Sequence, residues 1–113
     1  MSILEEAITL AEAIGLKVRT GVFSGEKAPD EYLVITPMSD IDFCADNEPT
    51  IEVQEARLSL YSKGNYQQRK NQLAQELRKA DMTITAKRFI EYETDAGYYH
   101  YAIDIAKEYD LED

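Results

Sequence analysis

Two stretches of the chain have apolar residues at helical spacing. The first starts at Ser2, which can cap a helix together with Glu5, and Gly15 is a typical residue just beyond a helix end. Its apolar residues, three and four positions apart, are Ile3, Leu4, Ala7, Ile8, Ala11 and Ile14. This pattern predicts an amphipathic helix over residues 2–15.

The second helical stretch follows directly on a strand. Ala56, Leu58 and Leu60 alternate with polar residues, which is typical of a half-buried strand, and Gly64 ends that pattern. Asn65 and Gln68 then form a second capping box. The apolar face of the helix that follows consists of Tyr66, Leu73, Ala74, Leu77 and Ala80. A strand that leads into such a helix needs a sheet on which both can pack.

Alternating or continuous apolar runs predict five strands to supply that sheet. They cover residues 17–23, 31–36, 51–61, 83–93 and 98–105. The run at 31–36 is apolar on both sides, as in a central strand, and Pro37 is expected to end it. The last two strands flank the turn residues 94–97, so they should form an antiparallel hairpin.

Three details of the strand pattern can be tested. The apolar phase shifts near Gln54 and Glu55, which indicates either a β-bulge there or a core face that begins only at Ala56. Along the first strand of the last hairpin, one face should hold Ile84, Ala86, Ile90 and Tyr92 with Arg88. Along the second strand, one face should hold Tyr99, Tyr101, Ile103 and Ile105.

The predicted order of elements is α-β-β-β-α-β-β. Strands in runs, separated by two helices, predict an α+β fold: a mostly antiparallel sheet of about five strands with two amphipathic helices packed on one face. At 113 residues, the chain (residues 1–113) has the length of one domain.

Residues 37–50 form the least regular segment. Their sequence, PMSDIDFCADNEPT, holds four acidic residues and no basic one, together with Met38, Ile41 and Phe43. Two interpretations are open. The segment is a loop that is mobile in the monomer and ordered against a partner, or it is a hairpin tip whose Ile41 and Phe43 fold back onto the core. The acidic tail, residues 107–113, is expected to fray.

The net charge of −10 limits the classes of partner. It argues against binding to nucleic acid through phosphate neutralisation and against an anionic membrane surface. It fits plain solubility, a basic partner, or a surface that DNA must pass without adhering. No apolar run approaches the length of a membrane span, and the acidic N-terminus does not match an export signal.

The residues that most often carry catalysis are scarce. His100 is the single histidine and has no partner nearby in sequence, and Cys44 is the single cysteine, among acidic neighbours that disfavour a thiolate. The acidic residues 40–48 lack the glycine of an EF-hand loop. We therefore expect no catalytic site, no metal site and no cofactor.

Tyrosines are concentrated near the C-terminus. They are Tyr92, Tyr98, Tyr99, Tyr101 and Tyr109. They could stack on single-stranded nucleic acid, but without a basic groove around them they fit core and protein–protein contacts better.

Three stretches in the second half match the elements of a known family. They are the strand residues 58–62, the Gly-Asn-Tyr turn at 64–66, and the turn and aromatic run at 93–100. With the helix among them, they resemble the tail-completion or tail-terminator proteins of long-tailed bacteriophages and prophages. The opening helix and the APDEYLVI strand fit the first half of that family more loosely.

The resemblance implies a non-enzymatic structural protein that terminates the tail tube as a ring, typically a hexamer, and forms the head-tail joining surface. The implied partners are the tail-tube protein and a head-completion or connector protein, and DNA passes through without specific binding. No membrane is involved; the protein is expected in the host cytoplasm during assembly and then in the virion tail or neck. Candidate residues of the subunit or partner interface are Met38, Asp40, Ile41, Asp42, Phe43, Tyr98, Tyr99 and Tyr101.

Two other functions remain open. One is another neck or connector protein of the head-tail interface, which differs in its partner. The other is an acidic DNA-mimic inhibitor of a DNA-binding enzyme, which requires carboxylates spaced like phosphates along one face. Basic residues interrupt the acidic ones along this chain, and an enzymatic function has the least support.

Overall fold

A computed structural model describes residues 2–20, 29–45 and 48–110; the side chains of residues 20, 43–45 and 48–50 lie outside this description. The elements are α1 (Ile3–Ala13), β1 (Lys17–Thr20), β2 (Glu31–Ala45), β3 (Glu48–Ser62), α2 (Tyr66–Lys79), β4 (Thr83–Glu93) and β5 (Tyr98–Asp110). The predicted α+β fold and its order of elements are confirmed.

The strands form one sheet in the order β1-β2-β3-β5-β4. The pair β1–β2 is parallel and the other neighbouring pairs are antiparallel. The strand predicted at 31–36 therefore lies second from one edge rather than at the centre. The central position belongs to β3, and β4 is the outer strand on the opposite side.

Both helices begin at the predicted caps. The side chain of Ser2 accepts a hydrogen bond from the Glu5 amide at 3.2 Å, and that of Asn65 accepts one from the Gln68 amide at 3.1 Å. The helix α1 ends at Ala13, and the chain turns at Gly15, whose φ of 88° is easy for glycine alone.

Both helices contribute to one core on a single face of the sheet. Leu33, Leu60 and Tyr101 are cross-strand neighbours on that face, as are Ile35, Leu58 and Ile103. These side chains pack with the buried residues of the helices, which are Ile3, Ala7, Ala11, Leu73 and Leu77. We call this side of the sheet the helix face and the other side the open face.

The prediction of a loop at residues 37–50 is wrong for the part that the structure describes. The strand β2 continues through Pro37 to Ala45, and β3 begins at Glu48, so these residues form a long hairpin. Proline is tolerated here because, among the described residues, no strand lies on the outer side of β2 beyond Ile35. The second interpretation, a hairpin, is closer, but Ile41 is exposed and does not fold back onto the core.

The expected fraying of the tail is also wrong for residues 107–110. The strand β5 continues to Asp110, which pairs with Ile51. The Tyr109 hydroxyl donates to Glu6, and the Lys107 ammonium contacts the same carboxylate at 2.9 Å. Residues 111–113 lie outside the described part.

A bulge interrupts the β2–β3 ladder at the predicted level, but the extra residue is on the other strand. Met38 is inserted in β2 between the partners of Ala56 and Glu55, while β3 pairs with β5 without a break from Ile51 to Ser62. Because β3 alternates without a break, Ile51 and Val53 lie on the open face and the core face of β3 begins at Ala56, which is the second of the two sequence interpretations.

The predicted face of β4 is wrong, because two register shifts change the side to which its residues point. They lie at Thr85 and Ile90. Ile84 is opposite the core residue Ile105, whereas Ala86 is opposite Asp104 on the open face. The predicted face of β5 is confirmed for Tyr101, Ile103 and Ile105, which are buried, and Tyr99 is half-buried on the same side.

Candidate functional site

Exposed apolar surface in the described part of the chain is concentrated on two outer strand segments. Five large apolar side chains there are 40–48% exposed: Met38, Ile41, Phe89, Ile90 and Tyr92. The first two lie on β2 beyond the end of β1, and the other three lie on β4. We call residues 36–45 the β2 arm and residues 83–93 the β4 edge.

The β2 arm is acidic. β1 stops at Thr20, opposite Ile35, so from Thr36 onward the described structure pairs β2 only with β3. Asp40 and Asp42 are exposed, and residues 36–45 hold no Lys or Arg. An outer strand of this kind presents unpaired backbone donors and acceptors beside its apolar side chains.

The β4 edge has a different charge pattern. Its exposed Lys87 and Arg88 stand next to Phe89, and Glu91 and Glu93 lie towards its end. Along its whole length the described structure pairs it with β5 alone. The two edges are thus unlike in charge, and they lie towards opposite ends of the strand order of the same sheet.

Of the residues predicted for the interface, the structure brings four together. Met38, Asp40, Ile41 and Asp42 are all exposed on the β2 arm. The backbone of Phe43 belongs to the same arm, but its side chain is outside the described residues.

The predicted tyrosines do not join that surface. Tyr98 and Tyr101 are only 6% and 8% exposed, so they offer little surface for the predicted interface. The Tyr98 hydroxyl donates to the carbonyl of Pro29 at 2.5 Å. The Tyr101 ring lies 4.9 Å from the Lys70 ammonium. These tyrosines stabilise the monomer, as the core interpretation expects.

Tyr99 belongs to an aromatic cluster at the N-terminal end of α2. Its ring lies 5.1 Å from that of Tyr66 and 4.7 Å from that of Tyr92, and Phe89 lies 5.8 Å from Tyr66. The cluster supports the β4 edge from the helix face. Sequence reasoning missed Phe89 as a surface residue and placed Ile90 and Tyr92 on one face, because it did not detect the two bulges of β4.

The open face is crossed by an ion pair between β3 and β5. Arg57 donates to both carboxylate oxygens of Asp104, from Nε at 2.7 Å and from Nη2 at 3.0 Å. This hydrogen bonding holds the pKa of Asp104 below its ordinary value of 3.8 and raises the pKa of Arg57. The pair joins two neighbouring strands at a point where no helix covers them.

Replacing Asp104 by Asn should lower the free energy of unfolding by about 1 kcal/mol at neutral pH, since the pair is lost and Arg57 is partly exposed. Folding lowers the pKa of Asp104. The stabilisation is therefore fully present above the pKa that Asp104 has in the unfolded chain, and it disappears as pH falls through the pKa of Asp104 in the folded protein. The difference from the unmutated protein should be constant above about pH 5 and shrink below about pH 4.

Urea unfolding at pH 7, 5 and 3 measures this difference. Asp95→Asn, in the exposed turn between β4 and β5, is the matched control and should change stability by less than about 0.5 kcal/mol. A difference for Asp104→Asn that persists undiminished at pH 3 would contradict the assigned role of the carboxylate.

His100 is packed into the open face. Its ring stacks on Tyr61 with 4.3 Å between centroids, and Tyr61 stacks on Tyr32 at 4.9 Å. Burial lowers the pKa of His100, opposed by the carboxylates of Glu93 and Glu91. In the described structure its Nε2 atom is buried without a hydrogen-bond partner. The arrangement is that of a neutral ring in an aromatic stack.

The described residues include no group of three or more His, Cys, Asp or Glu side chains that could hold a metal ion. None of the helices found there is long and apolar enough to cross a membrane. The side chain of Cys44 lies outside the description.

Comparison with known proteins adds no family assignment. No protein-family model matches the chain, and no curated protein matches it. The tail-terminator resemblance therefore stays a prediction from the sequence.

Proposed function

We propose that this chain is a non-enzymatic structural protein of a long-tailed phage or prophage. In this proposal it terminates the tail tube as a ring of identical copies and forms the head-tail joining surface. The sequence resemblance supports the place in the tail, and the described surface supports the ring.

The proposal rests on one observation: two exposed apolar edges that differ in charge lie towards opposite ends of the strand order of one sheet. A ring needs each copy to bind the next through two different patches. Met38 and Ile41 lie among acids on the β2 arm, while Phe89 and Ile90 lie beside cations on the β4 edge. Pairing of two β2 arms with each other would bring like charges together, which disfavours a symmetric dimer through that edge.

The charge of the chain fits a protein past which DNA moves. A net charge of −10 repels phosphates, so DNA would not adhere to the ring. The proposal assigns no specific DNA contact and no cofactor to any residue.

The distribution of ion pairs bears on the DNA-mimic alternative. In the part of the chain that the structure describes, four carboxylates pair with cations: Glu6 with Lys107, Glu31 with Arg69, Glu76 with Lys79, and Asp104 with Arg57. Their charge is compensated locally, whereas a mimic needs uncompensated carboxylates in a phosphate-like row. A neck or connector protein could use the same two edges and would differ in its partner.

The test is affinity purification of the tagged protein from the producing strain during virion assembly, with mass spectrometry and negative-stain imaging of the recovered material. Recovery of tail-tube subunits, with rings at the ends of tubes, is the expected result. Recovery of portal or adaptor proteins without tube subunits would indicate a neck or connector protein instead. A host nuclease or polymerase would favour the mimic and contradict the proposal.

A further inference from the structure

We propose that copies of this chain join edge to edge, with the β2 arm of one copy pairing as a strand with β4 of the next. The partner is a second copy of this chain, bound through backbone hydrogen bonds between two outer strands. This inference rests on the proposed ring and names its contact.

The two unpaired segments have matching lengths. The outer side of β2 is occupied by β1 only up to Ile35, which leaves the ten residues from Thr36 to Ala45 unpaired there in the described structure. The β4 edge is eleven residues long. The β4 strand of one copy therefore fills the free part of β2 and ends next to Thr20, the last residue of β1.

The topology determines the direction of the new pair. Within one copy, β4 runs antiparallel to β2, because three antiparallel steps separate them through β3 and β5. Suppose that a neighbouring copy continues the sheet through its β4 and keeps its helices on the same face. Its strands then run in the same directions as the corresponding strands of the first copy. The intermolecular β2–β4 pair is therefore antiparallel.

The charges match in the register that fills the arm. Placing Glu93 opposite Thr36 puts Lys87 opposite Asp42 and Arg88 opposite Ile41. The acids of the β2 arm then lie beside the cations of the β4 edge. Glu91 and Glu93 meet the uncharged start of the arm, so like charges do not face each other.

The sides of the strands also match. Asp40 is opposite Gln54, whose side chain accepts a hydrogen bond from the Ile3 amide of α1, so Asp40 and Asp42 point to the helix face. Lys87 is opposite Ile103, a core residue of that same face. Directly opposite residues of a sheet must share a face, and Asp42 and Lys87 do.

Disulfide trapping tests the pairing in the full-length protein with Cys44 replaced by Ala. A variant with Asp42→Cys is mixed with a variant with Lys87→Cys under mild oxidation, and covalent heterodimers are quantified. The matched control pairs Thr36→Cys with Lys87→Cys. Thr36 is exposed on the same strand but lies about 20 Å from the predicted partner of Lys87, beyond disulfide reach.

We expect roughly tenfold more heterodimer from the Asp42 pair than from the Thr36 pair. Equal yields at every accessible protein concentration would overturn the inference. Heterodimers without tail proteins in the affinity purification would keep the edge pairing and reject the proposed function. Recovery of tail-tube subunits, together with equal heterodimer yields from the two cysteine pairs, would keep the proposed function and reject the edge pairing.

Charge reversal gives an independent test by sedimentation velocity. Asp40→Lys with Asp42→Lys should weaken self-association, and adding Lys87→Glu with Arg88→Glu in the same chain should restore it. Arg78→Glu with Lys79→Glu on α2 is the control and should leave association unchanged. Failure of the second pair to rescue the first would contradict the assigned contact.

Discussion

A protein whose β2–β3 hairpin is shortened to end at Asp40 and Gln54 should remain folded and lose self-association. Asp40 and Gln54 are cross-strand partners, so a two-residue Asn-Gly turn can join them in place of residues 41–53. The change removes Ile41 and Asp42, which the proposed contact requires.

The shortened protein should keep its fold because the fully buried side chains that the structure describes lie outside the deleted segment. Leu33, Ile35, Leu58 and Leu60 are retained, and Gln54 can still accept from the Ile3 amide. Among the deleted residues whose burial is described, Val53 is half-buried and Ile41 is exposed, so the free energy of unfolding should fall by no more than about 2 kcal/mol.

Thermal unfolding and sedimentation velocity measure the two effects separately. The control replaces only Asp46 and Asn47, between the paired residues Ala45 and Glu48, by Asn-Gly, which keeps the arm. This control should associate as the unmutated chain does. Full association of the shortened protein would reject the arm as the contact.

Leu58→Ala should produce the largest loss of stability among single substitutions discussed. The side chain is fully buried on the central strand, between the cross-strand neighbours Ile35 and Ile103 and beneath the helices. Truncating such a leucine costs the transfer free energy of the removed atoms and leaves a cavity, about 3 kcal/mol in total. For a chain of this length, the midpoint of thermal unfolding should fall by roughly 10–20 °C.

Val53→Ala on the same strand is the matched control. Val53 is half-buried on the open face of β3, so its truncation should cost less than about 1.5 kcal/mol. A loss below about 1 kcal/mol for Leu58→Ala would contradict the central place of this residue in the core.

The helices and the order of elements were predictable because their signals are local. The caps at Ser2 and Asn65 and the helical spacing behind each depend on residues within one or two turns. The extent of the hairpin was not predictable in this way. Asp40 and Asp42 resemble loop residues, and they are in a strand because backbone pairing with Gln54 and Glu52 across the ladder determines the conformation there.

The candidate site was predicted in part. Met38 and Ile41 were predicted as interface residues because they are apolar residues in an acidic segment, and both are exposed. The burial of Tyr98 and Tyr101 depends on rings from other elements, Tyr32 and Tyr61 for the first and Tyr66 for the second, which periodicity does not reveal. The second edge was missed because the bulges at Thr85 and Ile90 reverse the faces of β4, and bulges have no reliable local signature.

The short strand β1 has a consequence for the geometry of any assembly built through the arm. It occupies β2 up to Ile35, so an incoming strand must stop at Thr36. This stop would determine how far each copy is displaced along the strand direction relative to its neighbour. Two more paired residues in β1, the smallest change that keeps the faces matched, would move that neighbour by about 6.6 Å, and thus change the slant of the strands against the axis of the assembly.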